Sequence, residues 1–468
     1  MRKPLPRRPP LAAVGREFRA TLRLALPLVG GQLCLIGGNV VDVVLAGHLG
    51  PDVLGAVAVG ASIWGLALMA LSGLMLAVPP IVSQLAGAGR RGEAVAVFRQ
   101  ALLLAIAAGV AGAVAVGWGG PVLVGGLGLA PGLEAGVDAF LRAIAFGAPA
   151  LGVFFAARGL SEGLGVTWPT MVFGLAILLL LAPLGYGLMY GAFGMPGLGA
   201  EGSGIANALV CWAGAGAYLA FIRWAPVYPG LDWRVPGALV RGWRPERAVL
   251  GALLRLGLPM AGTVLMEVGM FSAAGLMIGG LGADAVASHQ IALNLASVSF
   301  MVPLGVALAT TVRVGHAAGR GDAAGLRRAG LAGIGLAVLA QIGSGVVMLT
   351  VPGWLAGIYT RDAPVLAGAV VLLHLAAIFQ IFDGLQVAAN AALRGLKDTR
   401  VPLAATAVAY WGIGVPLGWW LGLHAGGGAA GVWTGLIAGL AVAAVLLAGR
   451  FASLTRLGAA ARGTVRAL

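Results

Sequence analysis

Three acidic residues stand inside long apolar runs: Asp42, Glu267 and Asp383. The other 13 of the 16 acids fall in stretches that read as loops, tails or the ends of spans. An ionisable group at the centre of a membrane helix costs about 2.5–3.5 kcal/mol on insertion scales, so its presence points to function or to a specific partner. No Lys or Arg is assigned to the interior of a span near these three, which disfavours a simple ion pair. Burial disfavours an ionised carboxylate and a bound cation favours it, so proton and cation compete for such a group. A protein that exposed the carboxylate to each side in turn would exchange one for the other.

Neighbouring amides and hydroxyls continue the pattern. Gln380, Asp383, Gln386 and Asn390 follow one another at three, three and four residues, which places them on one helix face. Gln32, Asn39 and Asp42 do the same at seven and three, and Gln290, Asn294 and Ser297 at four and three. Such stripes line a wet cavity or bond helix to helix, the second being the ordinary role of a membrane amide. Met266, Phe271, Phe300, Met301 and Phe379 offer surfaces for the apolar part of a ligand; taken singly, each reads as core or lipid contact.

What must hold these groups in place is set by composition. The chain has 468 residues, 60% hydrophobic and 10% charged, against about 25% charged in soluble proteins. A span needs about 20 apolar residues, and the runs yield twelve: 21–46, 54–80, 95–118, 137–156, 169–190 and 204–222, then 253–278, 285–311, 326–351, 365–391, 402–421 and 429–449. Helices follow because each segment must satisfy its own backbone groups in lipid. With the amino terminus inside, 28 of the 30 Lys and Arg fall on the inner side and only Arg142 and Arg361 on the outer. Cytoplasmic loops hold such an excess, so both termini are expected inside. The net charge of +14 therefore marks orientation, not a nucleic-acid surface. Depth follows from a helical rise of about 1.5 Å per residue. Glu267 lies about 18 Å beyond Arg255 and Asp383 about 16 Å from Arg394, both near the midplane, while Asp42 lies about 28 Å beyond Arg23, in the outer half.

The chain also repeats itself. Leu22-Arg23-Leu24-Ala25-Leu26-Pro27 returns as Leu254-Arg255-Leu256-Gly257-Leu258-Pro259, and Leu49-Gly50-Pro51-Asp52 as Leu281-Gly282-Ala283-Asp284, both at one and the same offset along the chain. Arg158-Gly159-Leu160 recurs as Arg394-Gly395-Leu396. Six spans per copy gives both halves one orientation, related by an axis along the membrane normal, with a site near their interface. The expected organisation is a basic inner segment 1–20, a first lobe 21–222, an inner linker 223–249, a second lobe 250–450 and an inner tail 451–468.

Other chemistry finds no context. Gly159-Leu160-Ser161-Glu162-Gly163 spells a nucleophile elbow but falls in an inner loop with no strand before it. Gly197-Leu198-Gly199-Ala200-Glu201-Gly202 spells a dinucleotide fingerprint without a βαβ unit. The histidines have no metal-ligand spacing, no lysine follows a phosphate-binding glycine loop, and Cys34 and Cys211 sit in apolar runs. Gly414, Gly418 and Gly422, and Gly431, Gly435 and Gly439, repeat at four, the spacing for close helix approach.

Taken together, these residues resemble the multidrug and toxic compound extrusion (MATE) family, in its NorM-like branch. The resemblance rests on Val41-Asp42 with Ala46-Gly47, on Gln84-Leu85-Ala86-Gly87-Ala88-Gly89, on Glu267, and on Ala287-Ser288-His289-Gln290-Ile291-Ala292-Leu293-Asn294. Leu393-Arg394-Gly395-Leu396-Lys397-Asp398-Thr399, after Asp383, completes it. It implies an all-α integral membrane protein of twelve transmembrane helices, its two six-helix bundles related by pseudo-two-fold symmetry and forming a V. It further implies export of organic cations and amphipathic drugs from the bacterial cytoplasmic (inner) membrane by a monomer, in exchange for H⁺ or Na⁺, with no cofactor. Glu267 and Asp383 match the family's cation site and Asp42 the acid of the first lobe. Family members often carry asparagine where this chain reads Leu181-Ala182-Pro183-Leu184-Gly185, and tyrosine where it has Phe379. Hard cations want several oxygen ligands, so these departures weaken the case for Na⁺, at least near Asp42, and favour H⁺, with Na⁺ left as the alternative at Glu267 and Asp383. A flippase for lipid-linked precursors would want a cationic cavity, a passive channel would not move cargo uphill, and a membrane enzyme would need a catalytic constellation.

Overall fold

A computed structural model of the chain describes residues 11–126, 128–228 and 244–456. Most of the expected linker 223–249, the first ten residues and the tail beyond Arg456 lie outside the described residues. Among the described residues every regular element is helical. The first lobe holds α1 (Leu11–Leu49), α2 (Pro51–Met75), α3 (Val78–Gly87), α4 (Ala94–Val114), α5 (Gly120–Gly125), α6 (Pro131–Ala145), α7 (Ala148–Gly163), α8 (Trp168–Tyr190) and α9 (Ala200–Trp224). The second holds α10 (Arg247–Gly279), α11 (Ala283–Gly319), α12 (Ala323–Thr350), α13 (Pro352–Gly357), α14 (Ala363–Gly395), α15 (Arg400–Ala407), α16 (Val415–Trp419) and α17 (Gly428–Arg456).

Among the described residues eleven helical stretches are long and apolar enough to cross a membrane, and α6 with α7, bent by 45°, makes a twelfth if the pair is one span. Leu179, Leu276 and Val445 point outward from the bundles with most of their surface open, as lipid-facing residues do. Two differences from the sequence reading bear on the site. Helix α1 begins at Leu11, so the basic start is helical from residue 11. Helix α7 continues to Gly163, so Arg158 and Glu162, read as part of an inner loop, are buried helical residues. The helix can hold both because they neutralise one another: Arg158 Nε donates to Glu162 Oε1 at 2.5 Å, one turn on.

The repeat is a structural one. Gly50 and Gly282, separated by the repeat offset, both take positive φ at the turn into the next helix, as do Gly89 and Gly321. Pro27 and Pro259 lie inside α1 and α10. Gly165 and Lys397 form a further pair, at φ 83° and 61°. Backbone hydrogen bonds fix the register there: Gly165 N–H donates to Glu162 O and Lys397 N–H to Arg394 O. The recurrence of Arg158-Gly159-Leu160 as Arg394-Gly395-Leu396 is thus out of structural register. Arg394 occupies the place of Glu162, and Asn390 that of Arg158.

The lobes meet toward the end of the bundles where the basic residues gather. There α1 and α3 lie against α11, and α2 against α10. Glycine permits the approach: a Cβ on Gly73 would lie 2.6 Å from the Ala261 Cα, and one on Gly257 2.6 Å from the Leu74 carbonyl oxygen. Gly87 packs on the His316 carbonyl and Gly319 on that of Gln84. Within the second lobe, the glycines in and beside α16 face the glycine row of α17, with Gly435 directly on Gly418.

Candidate functional site

The second lobe carries a cavity of about 350 Å³ lined by Glu267, Phe271, His289, Gln290, Phe300, Phe379 and Asp383, among others. Helix α10 supplies Glu267 and Phe271, α11 supplies His289, Gln290 and Phe300, and α14 supplies Phe379 and Asp383. The acids therefore come from different helices and share one space. Its walls are aromatic: Phe271 meets Phe379 edge to face at 5.9 Å, and Phe379 meets Trp433 at 5.6 Å. His289 is held by Trp433, whose indole N–H donates to Nδ1 at 3.1 Å, leaving Nε2 to carry the proton of the neutral ring. Asp383 is only 3% exposed. Two anions in such surroundings are costly unless a proton or cation accompanies them, an arrangement that can hold positive charge beside an apolar body.

The polar stripe of α14 divides. Gln380 accepts from the amide of Gln341 and donates to the Ala296 carbonyl at 3.4 Å, so it serves helix contact. Gln386 is fully buried, with neither side-chain atom in a hydrogen bond. Asn390 is buried below it, toward the basic end. Beside them stands Tyr410, fully buried, its hydroxyl facing the Gln386 amide without a well-formed hydrogen bond and within electrostatic reach of both Glu267 and Asp383. Sequence reasoning missed Tyr410. It sits in a π-helical turn, Val408–Gly414, whose widened register displaces it from the face that a 3.6-residue pattern assigns. Arg394 was also missed as a site residue. It is 7% exposed, and its charge and that of Glu267 act on one another.

In the first lobe Asp42 is held apart from this cavity. Its Oδ1 accepts from Ser203 Oγ at 3.0 Å, and Asn207 Nδ2 donates to both oxygens at 3.1 and 3.0 Å. Ser203 and Asn207, four residues apart in α9, are on one helix face, a signal the sequence contained. Gln32, on the same stripe as Asp42, turns instead to Arg158, accepting from Nη2 at 2.9 Å. Asn39 is exposed. Asn294 is exposed and accepts from the Tyr359 hydroxyl at 2.9 Å. Met266 is half-buried and its carbonyl takes the Trp411 indole N–H at 3.2 Å, while Met301 is half-buried outside the lining of the cavity.

Outside the spans, Lys397 lies at the basic end. Burial, and then the neighbouring charge of Arg90, bring the Lys397 ammonium down to about 8.

The MatE family profile matches residues 27–187 and 259–420, one stretch in each lobe. A protein of Xanthomonas campestris pv. campestris named "Probable multidrug resistance protein NorM" is 45% identical, over 94% of this chain and 95% of its own length. "Multidrug resistance protein PmpM" of Pseudomonas aeruginosa is 39% identical, over 94% of this chain and 92% of its own. Among solved structures, that of the eukaryotic MATE transporter AtDTX14 superposes with a TM-score of 0.85 at 18% identity, covering 97% of this chain and all of that one.

Proposed function

The chain belongs to the MatE family of membrane transporters, and from that premise we propose that it is a multidrug antiporter rather than an enzyme, expelling organic cations against an inward flow of protons. The observation that carries this reading is the placing of Glu267 and Asp383 in one aromatic-walled cavity. A cationic, amphipathic molecule would set its charge against the carboxylates and its rings against Phe271, Phe300 and Phe379. Protons arriving from the other side neutralise the acids and release it, because proton and cargo compete for the same oxygens. Asp42, clamped by Ser203 and Asn207, would provide a second exchange point in the other lobe. The basic end, where the lobes touch, is taken as cytoplasmic by the positive-inside rule. Both termini would then lie inside the bacterial cytoplasmic membrane. Each chain holds both lobes and its own cavity, so the monomer is the working unit.

A second reading, Na⁺ as the coupling ion, is favoured by one observation. The Gln386 amide and the Tyr410 hydroxyl face one another near the acids without a well-formed hydrogen bond and could turn their oxygens to a hard-cation site. An acid-lined cavity speaks against a pyrophosphate-gripping flippase. The test is accumulation of ethidium in an efflux-deficient bacterium expressing the chain. Wild type should lower it, and Glu267→Gln and Asp383→Asn should not; equal extrusion by those variants at equal expression would refute the assignment.

A further inference from the structure

The two lobes place opposite charges at one structural position. Glu162 is the penultimate residue of α7 and Arg394 that of α14, each the acceptor, through its backbone carbonyl, of the turn that follows. Gly163 and Gly395, the next residues, confirm the register: Gly163 packs on Val82 and Gly395 on Val314, two pairs separated by the same repeat offset. In the first lobe the charge is settled locally, since Arg158 lies one turn before Glu162 and bonds to it, while Thr170 Oγ1 adds a bond at 3.3 Å. In the second lobe the residue one turn before Arg394 is Asn390, which carries no charge. The next acid along the chain, Asp398, is taken by Arg450, whose Nε donates to it at 2.9 Å.

Arg394 is thus left without a local counter-charge. Among the described residues it forms no ion pair, and its Nε is buried without a hydrogen-bond partner. A buried guanidinium needs negative charge nearby, and the carboxylate whose charge bears on it is Glu267. Geometry agrees. Arg394 follows Asp383 by eleven residues, so it lies on the same face of α14, about 16 Å further toward the basic end. Helical side chains lean toward the amino-terminal end of their helix, which here is the direction of the two acids.

We propose that Arg394 is the resident counter-charge of the Glu267–Asp383 cavity, a positioning residue that offsets part of its negative charge and keeps cationic cargo loosely held. The inference rests on the reading that these acids bind the cargo. A site with two bare carboxylates would grip an organic cation and release it slowly. With an internal cation in electrostatic reach of Glu267, the cargo competes against a charge that never leaves, and release becomes easier.

The test measures ethidium binding to the purified full chain in detergent, at one fixed pH. Arg394→Gln should bind about tenfold more tightly, as expected for removal of a nearby like charge, with slower efflux in vesicles. Arg394→Lys should bind as wild type does. A merely structural role would weaken binding in Arg394→Gln, and that result, or unchanged binding, overturns the proposal while Glu267→Gln and Asp383→Asn bind poorly. If those two bind ethidium as wild type does, the underlying cargo site is wrong and the proposal falls with it. Should Arg394→Gln fold poorly, a thermal-melting cycle of Arg394→Gln, Glu267→Gln and the double variant decides. Coupled residues give a double variant more stable than the two losses combined; strictly additive losses overturn the proposal.

Discussion

Gln84 and His316 hold equivalent places in the two lobes, and each side chain donates to the backbone carbonyl of the opposite lobe's equivalent glycine. Gln84 Nε2 reaches Gly395 O and His316 Nε2 reaches Gly163 O, both at 2.9 Å. The pair forms a two-fold latch at the basic end, beside the glycine contacts that let α3 and α11 touch. In the proposed alternating-access cycle this latch would break and re-form. Losing one donor leaves a buried carbonyl unpaired, worth about 1–3 kcal/mol. Gln84→Leu and His316→Leu should each lengthen and broaden the distance between spin labels set on the two lobes at that end. His316→Gln should keep the wild-type distance; if it opens as His316→Leu does, the hydrogen bond is not what holds the ends together.

Asp42 depends on α9 for its position. A hydrogen bond to a charged group contributes about 1.5–3 kcal/mol, so Asn207→Ala, which removes contacts to both oxygens, should reduce ethidium efflux several-fold. Asn207→Ser, with a shorter donor, should fall between. Wild-type efflux from Asn207→Ala at equal expression would mean that the clamp has no part in transport.

The ion pair of Arg158 and Glu162 is buried, with side-chain exposures of 9% and 3%. Removing one member strands the other, at about 3–5 kcal/mol, whereas an apolar pair of similar volume is often neutral. Arg158→Leu should therefore melt well below wild type in detergent, and Arg158→Leu with Glu162→Leu should recover most of the loss. A double variant that melts lower than either single one would contradict this.

Lys397 makes a pH-dependent contribution of known sign. Folding brings it from 10.5 to about 8, chiefly by burial. Between those values the unfolded chain holds a proton that the folded chain does not, so stability rises with pH across that window. Its φ of 61° is one that Gly165 supplies freely in the other lobe, and a non-glycine residue there costs roughly 1–2 kcal/mol. Lys397→Gly should melt higher than wild type at neutral pH and lose the rise between about pH 8 and 10.5. A rise of the same size in both proteins would assign it to another group.

The apolar runs marked the spans because lipid leaves the backbone no alternative to internal hydrogen bonding. Asp42, Glu267 and Asp383 stood out for the same reason: charge is rare where water is absent. Tyr410 did not, since a tyrosine in an apolar run is ordinary and its facing depends on the π turn around it. Arg394 was hidden by its nearness to a helix end, where basic residues are common, and by a three-residue match that aligned it with Arg158 in place of Glu162. Partner choice across helices, as with Ser203 and Asn207 on Asp42, is set by packing between elements far apart in sequence. Helix α7 likewise runs past its apolar stretch to Gly163 and buries a charged pair that hydropathy alone assigns to a loop.

The central claim is that intramembrane carboxylates exchange cargo for the coupling ion, and uphill ethidium movement in reconstituted vesicles tests it most directly. Under an imposed pH gradient wild type should concentrate ethidium, and Asp42→Asn, Glu267→Gln and Asp383→Asn should not; a Na⁺ gradient that succeeds where the pH gradient fails would select the second ion. Normal uphill pumping by all three neutralised variants would contradict the account.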